Sequence, residues 1–209
     1  MSAAFPRVYA ILDAGLLGET LGEAAVAVTA AGVRLLQYRD KTSSPAGALA
    51  TLRRLLALPG RDAVRWIAND RADLAAIAGA DGVHVGQGDL SAGDARQLMP
   101  APRWVGISTH SEQQISRAAA MPVDYIAVGP IYPTATKANP GPAVGLGLLR
   151  TARKITQKPI VAIGGITIET CREVYAAGAD CAAVAGDLCR SGDPGSRATA
   201  YLKLASEFF

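Results

Sequence analysis

Short runs of apolar, often β-branched residues alternate along the chain with longer segments rich in alanine and leucine. This alternation is typical of a parallel sheet whose faces are covered by helices. The apolar runs have the length of barrel strands. Eight strands are predicted, at residues 8–12, 35–39, 66–69, 82–85, 104–108, 125–129, 160–164 and 181–185.

Segments with helical periodicity lie between these strands, among them residues 19–31, 45–57, 111–120, 168–177 and 196–207. Several are followed by a glycine, at Gly32, Gly79 and Gly178, where a helix needs a left-handed residue before it turns into the next strand. The tetrapeptide Ala-Gly-Ala-Asp occurs at 78–81 and again at 177–180, which is a weak internal repeat of one βα unit. We therefore predict one domain over residues 1–209, an α/β fold of the (β/α)8 TIM-barrel type, with a doubly wound sheet as the alternative.

Composition narrows the class of protein. Half of the 209 residues are apolar and the formal net charge is only +3, which indicates a folded core and excludes disorder. The three cysteines form no Cys-x-x-Cys pair, and the N-terminus has no apolar signal segment, so we expect a cytoplasmic protein. Scattered basic residues and 5% aromatic residues argue against nucleic acid as a partner, and no apolar run is long enough for a membrane helix. The sequence leaves the oligomeric state open, with a homo-oligomer among the alternatives.

Polar residues collect at the carboxyl ends of the predicted strands, where active sites of this fold are built. Any one of these clusters has an ordinary explanation: Asp70 beside Arg71 could cap a helix and form a surface ion pair, and Asp89 could close a turn or cap the next helix. Their occurrence at five consecutive strand ends favours a functional site. The residues are Gln37, Arg39 and Lys41 after strand two, Asn69 and Asp70 after strand three, Gln87 and Asp89 after strand four, Ser108 after strand five, and Thr134, Thr136 and Lys137 after strand six.

The side chains in this set indicate a phosphorylated ligand. Two carboxylates without a histidine or cysteine cluster suit Mg²⁺, which keeps water molecules and accepts phosphate oxygens. The cations Arg39, Lys41 and Lys137 suit a polyanion. Together they predict a diphosphate group held by Mg²⁺ on one side and by arginine and lysine on the other.

The loops after strands seven and eight carry glycines that suit a phosphate site. Gly164-Gly165 and Ala185-Gly186 stand where backbone N–H groups commonly bind phosphate in this fold, although glycines that merely allow close packing are an equal alternative. The long segment 130–145 is expected on the same rim. His84 is interpreted as a hydrogen-bonded core histidine, His110 as a rim residue, and the cysteines as small apolar core residues.

Five motifs in order along nearly the whole chain resemble the thiamine-phosphate synthase family. They are Gln-Tyr-Arg-Asp-Lys at 37–41, Asn-Asp-Arg at 69–71, Gly-Val-His-Val-Gly-Gln-Gly-Asp at 82–89, Ile-Ala-Val-Gly-Pro-Ile-Tyr-Pro-Thr-Ala-Thr-Lys at 126–137 and Ala-Ile-Gly-Gly-Ile at 162–166. The resemblance implies a transferase that joins hydroxymethylpyrimidine diphosphate to thiazole phosphate, giving thiamine phosphate and diphosphate. Departure of the Mg²⁺-bound diphosphate would leave a pyrimidinylmethyl cation, which the thiazole nitrogen captures without a general base.

The resemblance also assigns roles to the residues at matching positions. Asp70 and Asp89 would hold Mg²⁺. The pyrimidine diphosphate would be bound by Gln37, Arg39, Lys41, Asn69, Ser108 and Lys137, of which Arg39, Lys41, Ser108 and Lys137 would also be catalytic. The thiazole phosphate would be bound by Thr134, Thr136, Gly165 and the backbone at Ala185-Gly186.

The chain departs from the family pattern at two places. Similar proteins often carry serine where this chain has Gly186, so only backbone N–H groups are expected to reach the phosphate from that position. Residues 138–142 also lack the acidic character that we would expect.

Two rival functions remain. One is a thiazole tautomerase-like isomerase on the same barrel, which would not need the diphosphate and metal residues, and the other is a non-catalytic phosphate-binding barrel. Whether the thiazole substrate is carboxylated is left open.

Overall fold

Eight parallel strands close into a barrel in sequence order, with β8 pairing back onto β1. The computed structural model describes residues 5–136 and 141–208. The strands are β1 Val8–Asp13, β2 Leu35–Arg39, β3 Arg65–Asn69, β4 Gly82–Val85, β5 Trp104–Thr109, β6 Tyr125–Val128, β7 Ile160–Ile163 and β8 Cys181–Val184. The predicted barrel is confirmed and the doubly wound alternative is wrong. Every predicted strand is present, with bounds shifted by at most one residue.

Helices cover the outside of the barrel. They are α1 Ala14–Leu17, α2 Leu21–Ala30, α3 Pro45–Leu56, α4 Ala72–Ala78, α5 Ala92–Leu98, α6 Glu112–Ala120, α7 Gly145–Ile155, α8 Ile168–Ala176, α9 Gly186–Cys189 and α10 Pro194–Ala205. The glycines predicted to end helices do so in left-handed conformation, with φ of 111° at Gly32, 78° at Gly79 and 101° at Gly178. Among the helices in the described part of the chain, none is both long and apolar enough to cross a membrane.

The strand side chains alternate between two cores, because successive residues of a strand point to opposite faces. One set packs against the helices and forms the larger core. The other fills the barrel interior, with Tyr9 and Tyr125 among its largest members. All three cysteines are buried and unpaired, as the sequence predicts.

Aspartates tie neighbouring strands together at the amino-terminal end of the barrel. Each stands directly before an even-numbered strand, accepts a hydrogen bond from a backbone N–H of the preceding strand, and forms an ion pair with an arginine. The groups are Asp81 with Trp66 N–H (2.7 Å) and Arg61 (2.9 Å), Asp124 with Val105 N–H (2.6 Å) and Arg96, and Asp180 with Ile160 N–H (2.8 Å) and Arg153 (2.7 Å). The repeated Ala-Gly-Ala-Asp therefore serves the scaffold: its glycine ends a helix and its aspartate fixes the next strand.

Candidate active site

A cavity of about 930 Å³ opens at the carboxyl end of the barrel. It is lined by nearly all of the residues that the sequence analysis selected: Gln37, Arg39, Lys41, Asn69, Asp70, Asp89, Ser108, Thr134, Thr136, Gly165, Ala185 and Gly186. Lys137 lies outside the described residues. The geometry thus brings the selected strand ends together around one space.

The carboxylates of Asp70 and Asp89 lie side by side at the ends of β3 and β4. Asp70 follows β3 in a left-handed conformation (φ 62°), and its N–H donates to the carbonyl of His84 at 2.7 Å. Asp89 accepts from the N–H of Gly86 at 2.7 Å. Partial desolvation and the adjacent Asp70 raise the pKa of the Asp89 carboxyl, against the lowering effect of the Gly86 N–H. A pair of acids in this arrangement is stabilised by a cation.

The ordinary explanation of Asp70 is wrong, and that of Asp89 is correct only for the turn. Arg71 forms its ion pair with Asp73 rather than with Asp70, and it is Arg71 itself that stands at the N-cap of α4. The helix after Asp89 is capped by Ser91, whose hydroxyl accepts from Asp94 N–H at 3.1 Å. Asp89 does close the turn through Gly86, but its carboxylate also lines the cavity.

The donor set fits a hard divalent cation. Across residues 5–136 and 141–208, no group of three or more histidine, cysteine, aspartate or glutamate side chains is assembled for a metal ion. Two carboxylates can hold Mg²⁺ if water and substrate oxygens complete its shell. Lys41 already forms an ion pair with Asp70, so positive charge is placed beside the acids in the structure as it stands.

The side chain of Arg39 is oriented by an aspartate that the sequence analysis missed. Asp13, the last residue of β1, forms an ion pair with Arg39 and is 5% exposed. The other oxygen of the same carboxylate accepts from Leu16 N–H at 3.2 Å at the start of α1. The available signal was its position: Asp13 directly follows the predicted strand 8–12 and therefore lies at a strand end.

A chain of hydrogen bonds crosses the barrel interior beneath the cavity. Gln37 Nε2 donates to Tyr9 Oη at 2.8 Å, and the hydroxyls of Tyr9 and Tyr125 are 3.1 Å apart. Tyr125 Oη is 3.0 Å from His84 Nδ1, and His84 Nε2 is 2.8 Å from Ser108 Oγ. The interpretation of His84 as a hydrogen-bonded core histidine is confirmed. This hydrogen-bond chain ends at Gln37 and Ser108, which both line the cavity.

With the Gln37 amide nitrogen as the donor to Tyr9, the direction of the other hydrogen bonds follows. Tyr9 accepts from Gln37, so its own proton is donated to Tyr125, and Tyr125 in turn donates to His84 Nδ1. His84 then carries its proton on Nε2 and donates to Ser108, whose hydroxyl proton is left for the cavity. The opposite direction would require the Gln37 amide to turn, so that its oxygen accepts from Tyr9 and its nitrogen faces the cavity. In the direction set by Gln37, the Ser108 hydroxyl is a donor toward the cavity.

Close packing of two loops builds the opposite side of the cavity. Gly164 and Gly165 adopt φ of 99° and 66°, which side chains rarely adopt. A Cβ at Gly165 would lie 2.4 Å from the carbonyl oxygen of Pro133, and one at Gly164 would lie 2.5 Å from Pro130 Cβ. The packing interpretation of this glycine pair is correct, and it is compatible with a phosphate site, because the contact brings Thr134 onto the same wall.

The sequence analysis also missed two arginines, Arg190 and Arg197, which line the cavity from the segment after β8. Only backbone donors were expected around Gly186, yet the Arg190 guanidinium lies over that glycine. Arg190 is four residues beyond Gly186, one helical turn away, and that spacing is the signal that could have found it. His110 lies at the rim as predicted, with Nδ1 against the carbonyl of Gly129.

Comparison with known proteins gives a consistent result. Residues 8–188 match the family model described as thiamine monophosphate synthase. A thiamine-phosphate synthase of Koribacter versatilis is 49% identical over 205 residues, covering 95% of each chain, and one of Albidiferax ferrireducens is 40% identical over 191 residues, covering 90% of this chain and 86% of the relative. The solved thiamine phosphate pyrophosphorylase of Pyrococcus furiosus has a TM-score of 0.83 at 27% identity, covering 97% of this chain and 96% of that one.

Proposed function

The chain belongs to the thiamine monophosphate synthase family, and we propose that its cavity is the site where a pyrimidine diphosphate and a thiazole phosphate are joined. The protein is a transferase of the thiamine-phosphate synthase type: it condenses the two small molecules and releases diphosphate. We further propose which residues bind each substrate and the metal, and in what order the bonds change. The observation that carries it is the pair of carboxylates beside Lys41, facing a glycine-lined wall across one cavity.

The pyrimidine ring binds between Gln37 and Ser108. A 4-aminopyrimidine presents an amino group, which donates, next to a ring nitrogen, which accepts. The Ser108 hydroxyl, oriented as a donor by His84, matches the ring nitrogen, and the Gln37 amide oxygen matches the amino group. The hydrogen-bond chain thus favours the aminopyrimidine over a ring with the opposite pattern.

The diphosphate of that substrate lies at the ends of β2 to β4. Asp70 and Asp89 would hold Mg²⁺, which would neutralise charge on the departing diphosphate. Lys41 leaves its ion pair with Asp70 to bind phosphate oxygens, and Arg39, held by Asp13, contributes a second fixed cation. The Asn69 amide completes this side, and we assign Lys137 of the rim loop to the same diphosphate, although it lies outside the described residues.

The thiazole phosphate binds at the wall made by the loops after β6, β7 and β8. Thr134 and Thr136 supply hydroxyl donors, and their own hydroxyls are 3.5 Å apart. Gly165, Ala185 and Gly186 allow the phosphate to approach backbone N–H groups. The thiazole ring would then lie toward the barrel centre, with its phosphate at the outer wall.

The reaction needs charge stabilisation rather than a base. The C–O bond of the pyrimidine diphosphate breaks with both electrons leaving on the diphosphate, and the lone pair of the thiazole nitrogen forms the new C–N bond. No proton is transferred at that nitrogen, which agrees with a cavity rich in cations and acids in which His84 is engaged in the interior chain. Fixed cations at the leaving group lower the barrier because negative charge develops there.

A direct assay tests the proposal against its rivals. Protein, Mg²⁺ and both substrates should give thiamine phosphate by mass spectrometry, and Asp70→Asn together with Asp89→Asn should abolish product formation while the fold is retained by circular dichroism. Isomerisation of a carboxylated thiazole phosphate without the pyrimidine would favour the tautomerase. Binding of both phosphorylated substrates without any product would favour the non-catalytic barrel. Assays with the carboxylated and decarboxylated thiazoles would identify the substrate form.

The partners are small-molecule substrates, and we assign the reaction to the cytoplasm, which the three unpaired and buried cysteines support.

A further inference from the structure

The Arg190 side chain lies in the space that a side chain at residue 186 would need. A Cβ built on Gly186 would be 2.5 Å from Arg190 Nη1 and 3.0 Å from Thr136 Oγ1. Since real Cβ atoms essentially never approach other atoms within 3.0 Å, the glycine is what allows the guanidinium to rest there. The guanidinium and the Thr136 hydroxyl therefore both lie beside Gly186, on the wall already assigned to the thiazole phosphate.

Arg190 also differs from the other cations of the cavity in its pairing. Arg39 is paired with Asp13 and Lys41 with Asp70. Arg197 lies 3.5 Å from Asp187. Within residues 5–136 and 141–208, the Arg190 guanidinium has neither a carboxylate nor a hydrogen-bond partner.

The local chain geometry explains how Arg190 reaches this wall. Its N–H donates to the carbonyl of Gly186 at 3.1 Å, at the end of the short helix α9. Residues four apart in such a turn lie on the same face. Leu188 and Cys189 of the same turn are buried and anchor it to the barrel.

We propose that Arg190 is a substrate-binding residue that contacts the phosphate of the thiazole substrate. This inference rests on the proposed function, because it uses the assignment of that phosphate to the wall at Thr136 and Gly186. A guanidinium offers several N–H donors in one plane and binds phosphate oxygens in pairs. Gly186 is then the residue that makes room for this donor, and Arg190 supplies the side-chain contact that the glycine lacks.

The first experiment removes the guanidinium. In steady-state kinetics, Arg190→Ala should raise KM for the thiazole phosphate about tenfold or more, since hydrogen bonds to a charged group are stronger than those between neutral groups. KM for the pyrimidine diphosphate should stay within about twofold. Arg190→Lys should recover part of the affinity, because it restores charge without the paired donors. Arg53→Ala, an exposed arginine of α3 that does not line the cavity, is the matched control.

The dephosphorylated thiazole alcohol shows whether the contact is with the phosphate. Its dissociation constant, measured by calorimetry, should be the same for the wild-type protein and Arg190→Ala. Loss of affinity for both thiazoles alike would assign Arg190 to the shape of the wall rather than to the phosphate, and an unchanged KM for the thiazole phosphate would overturn the proposal outright.

A double variant tests the relation between the two residues. Gly186→Ser alone should weaken thiazole phosphate binding, because the new Cβ displaces the guanidinium. In the Arg190→Ala background the same serine should cost nothing further, which is the coupling expected of residues that share one space. Additive effects would contradict the proposed relation. Calorimetry with the thiazole phosphate alone keeps this test valid even if the wild-type protein forms no thiamine phosphate.

Discussion

Substitution of Gly165 by alanine tests whether the wall for the thiazole phosphate depends on contact between two loops. Gly165 has φ 66°, and its Cβ would lie 2.4 Å from Pro133 O and 2.8 Å from Tyr132 Cβ. Neither neighbour is the end of a flexible side chain, so the loop after β6 has to move. Left-handed backbone costs a non-glycine residue about 1–2 kcal/mol, and overpacking of this kind adds about 1–3 kcal/mol.

A second glycine separates these two costs. Gly79 has a similar φ of 78°, but a Cβ there would have nothing within 4 Å. Gly79→Ala therefore carries the backbone strain without the collision, and both variants lose the same freedom in the unfolded chain. The difference between them isolates the overpacking, about 1–3 kcal/mol, which for a chain of this size is a Tm lower by about 2–12 °C in Gly165→Ala.

Thermal unfolding by circular dichroism measures this difference, and kinetics measure its consequence. Because the displaced loop carries Thr134, KM for the thiazole phosphate should rise more in Gly165→Ala than KM for the pyrimidine diphosphate, whereas Gly79→Ala should change neither. Equal Tm values for the two variants would refute the packing argument. A larger effect on the pyrimidine substrate would show that the two substrates had been assigned to the wrong sides of the cavity.

Three further predictions follow from the site. The raised pKa of Asp89 means that its ionised form is disfavoured in the folded protein, so stability is lost as pH rises through that pKa. Asp89→Asn should therefore raise Tm at neutral pH without Mg²⁺, lose that advantage in acid, and show no rise in Tm when Mg²⁺ is added. A Mg²⁺ response like that of the wild-type protein would contradict the metal assignment. Lys137→Ala should lower kcat more than it raises KM, because its charge acts on the departing diphosphate; weaker binding at constant kcat would argue against this role. Tyr125→Phe removes the hydroxyl contacts of 3.1 Å to Tyr9 and 3.0 Å to His84. It should lower the free energy of unfolding in urea by about 1–3 kcal/mol and raise KM for the pyrimidine substrate. A loss of stability without a change in KM would mean that the hydrogen-bond chain has only a structural role.

The sequence alone determined the barrel and most of the residues around its cavity. Strand positions could be predicted because buried parallel strands are short, nearly continuous apolar runs, and because glycines such as Gly79 mark the ends of the helices between them. Asp70 and Asp89 could be selected because the carboxyl ends of all strands in this fold meet at one face. The strand positions and these site residues could be predicted because they depend on the local pattern of residues and on the order of the elements, and both can be read from the sequence. The short helices α4 and α5, of seven residues each, lie below the length at which periodicity is informative.

Only the tertiary structure decided which side chains share a space or a proton. Tyr9 and Tyr125 are separated by 116 residues, and each looks like an ordinary core residue until the closed barrel places their hydroxyls in one chain with His84. Arg190 and Gly186 are neighbours in sequence, yet the reason for the glycine appears only when the guanidinium is seen to occupy the place of its missing Cβ. Such contacts depend on the directions of side chains across the barrel. The order of residues along one strand does not specify them, because the energy of a side chain depends on its neighbours in three dimensions.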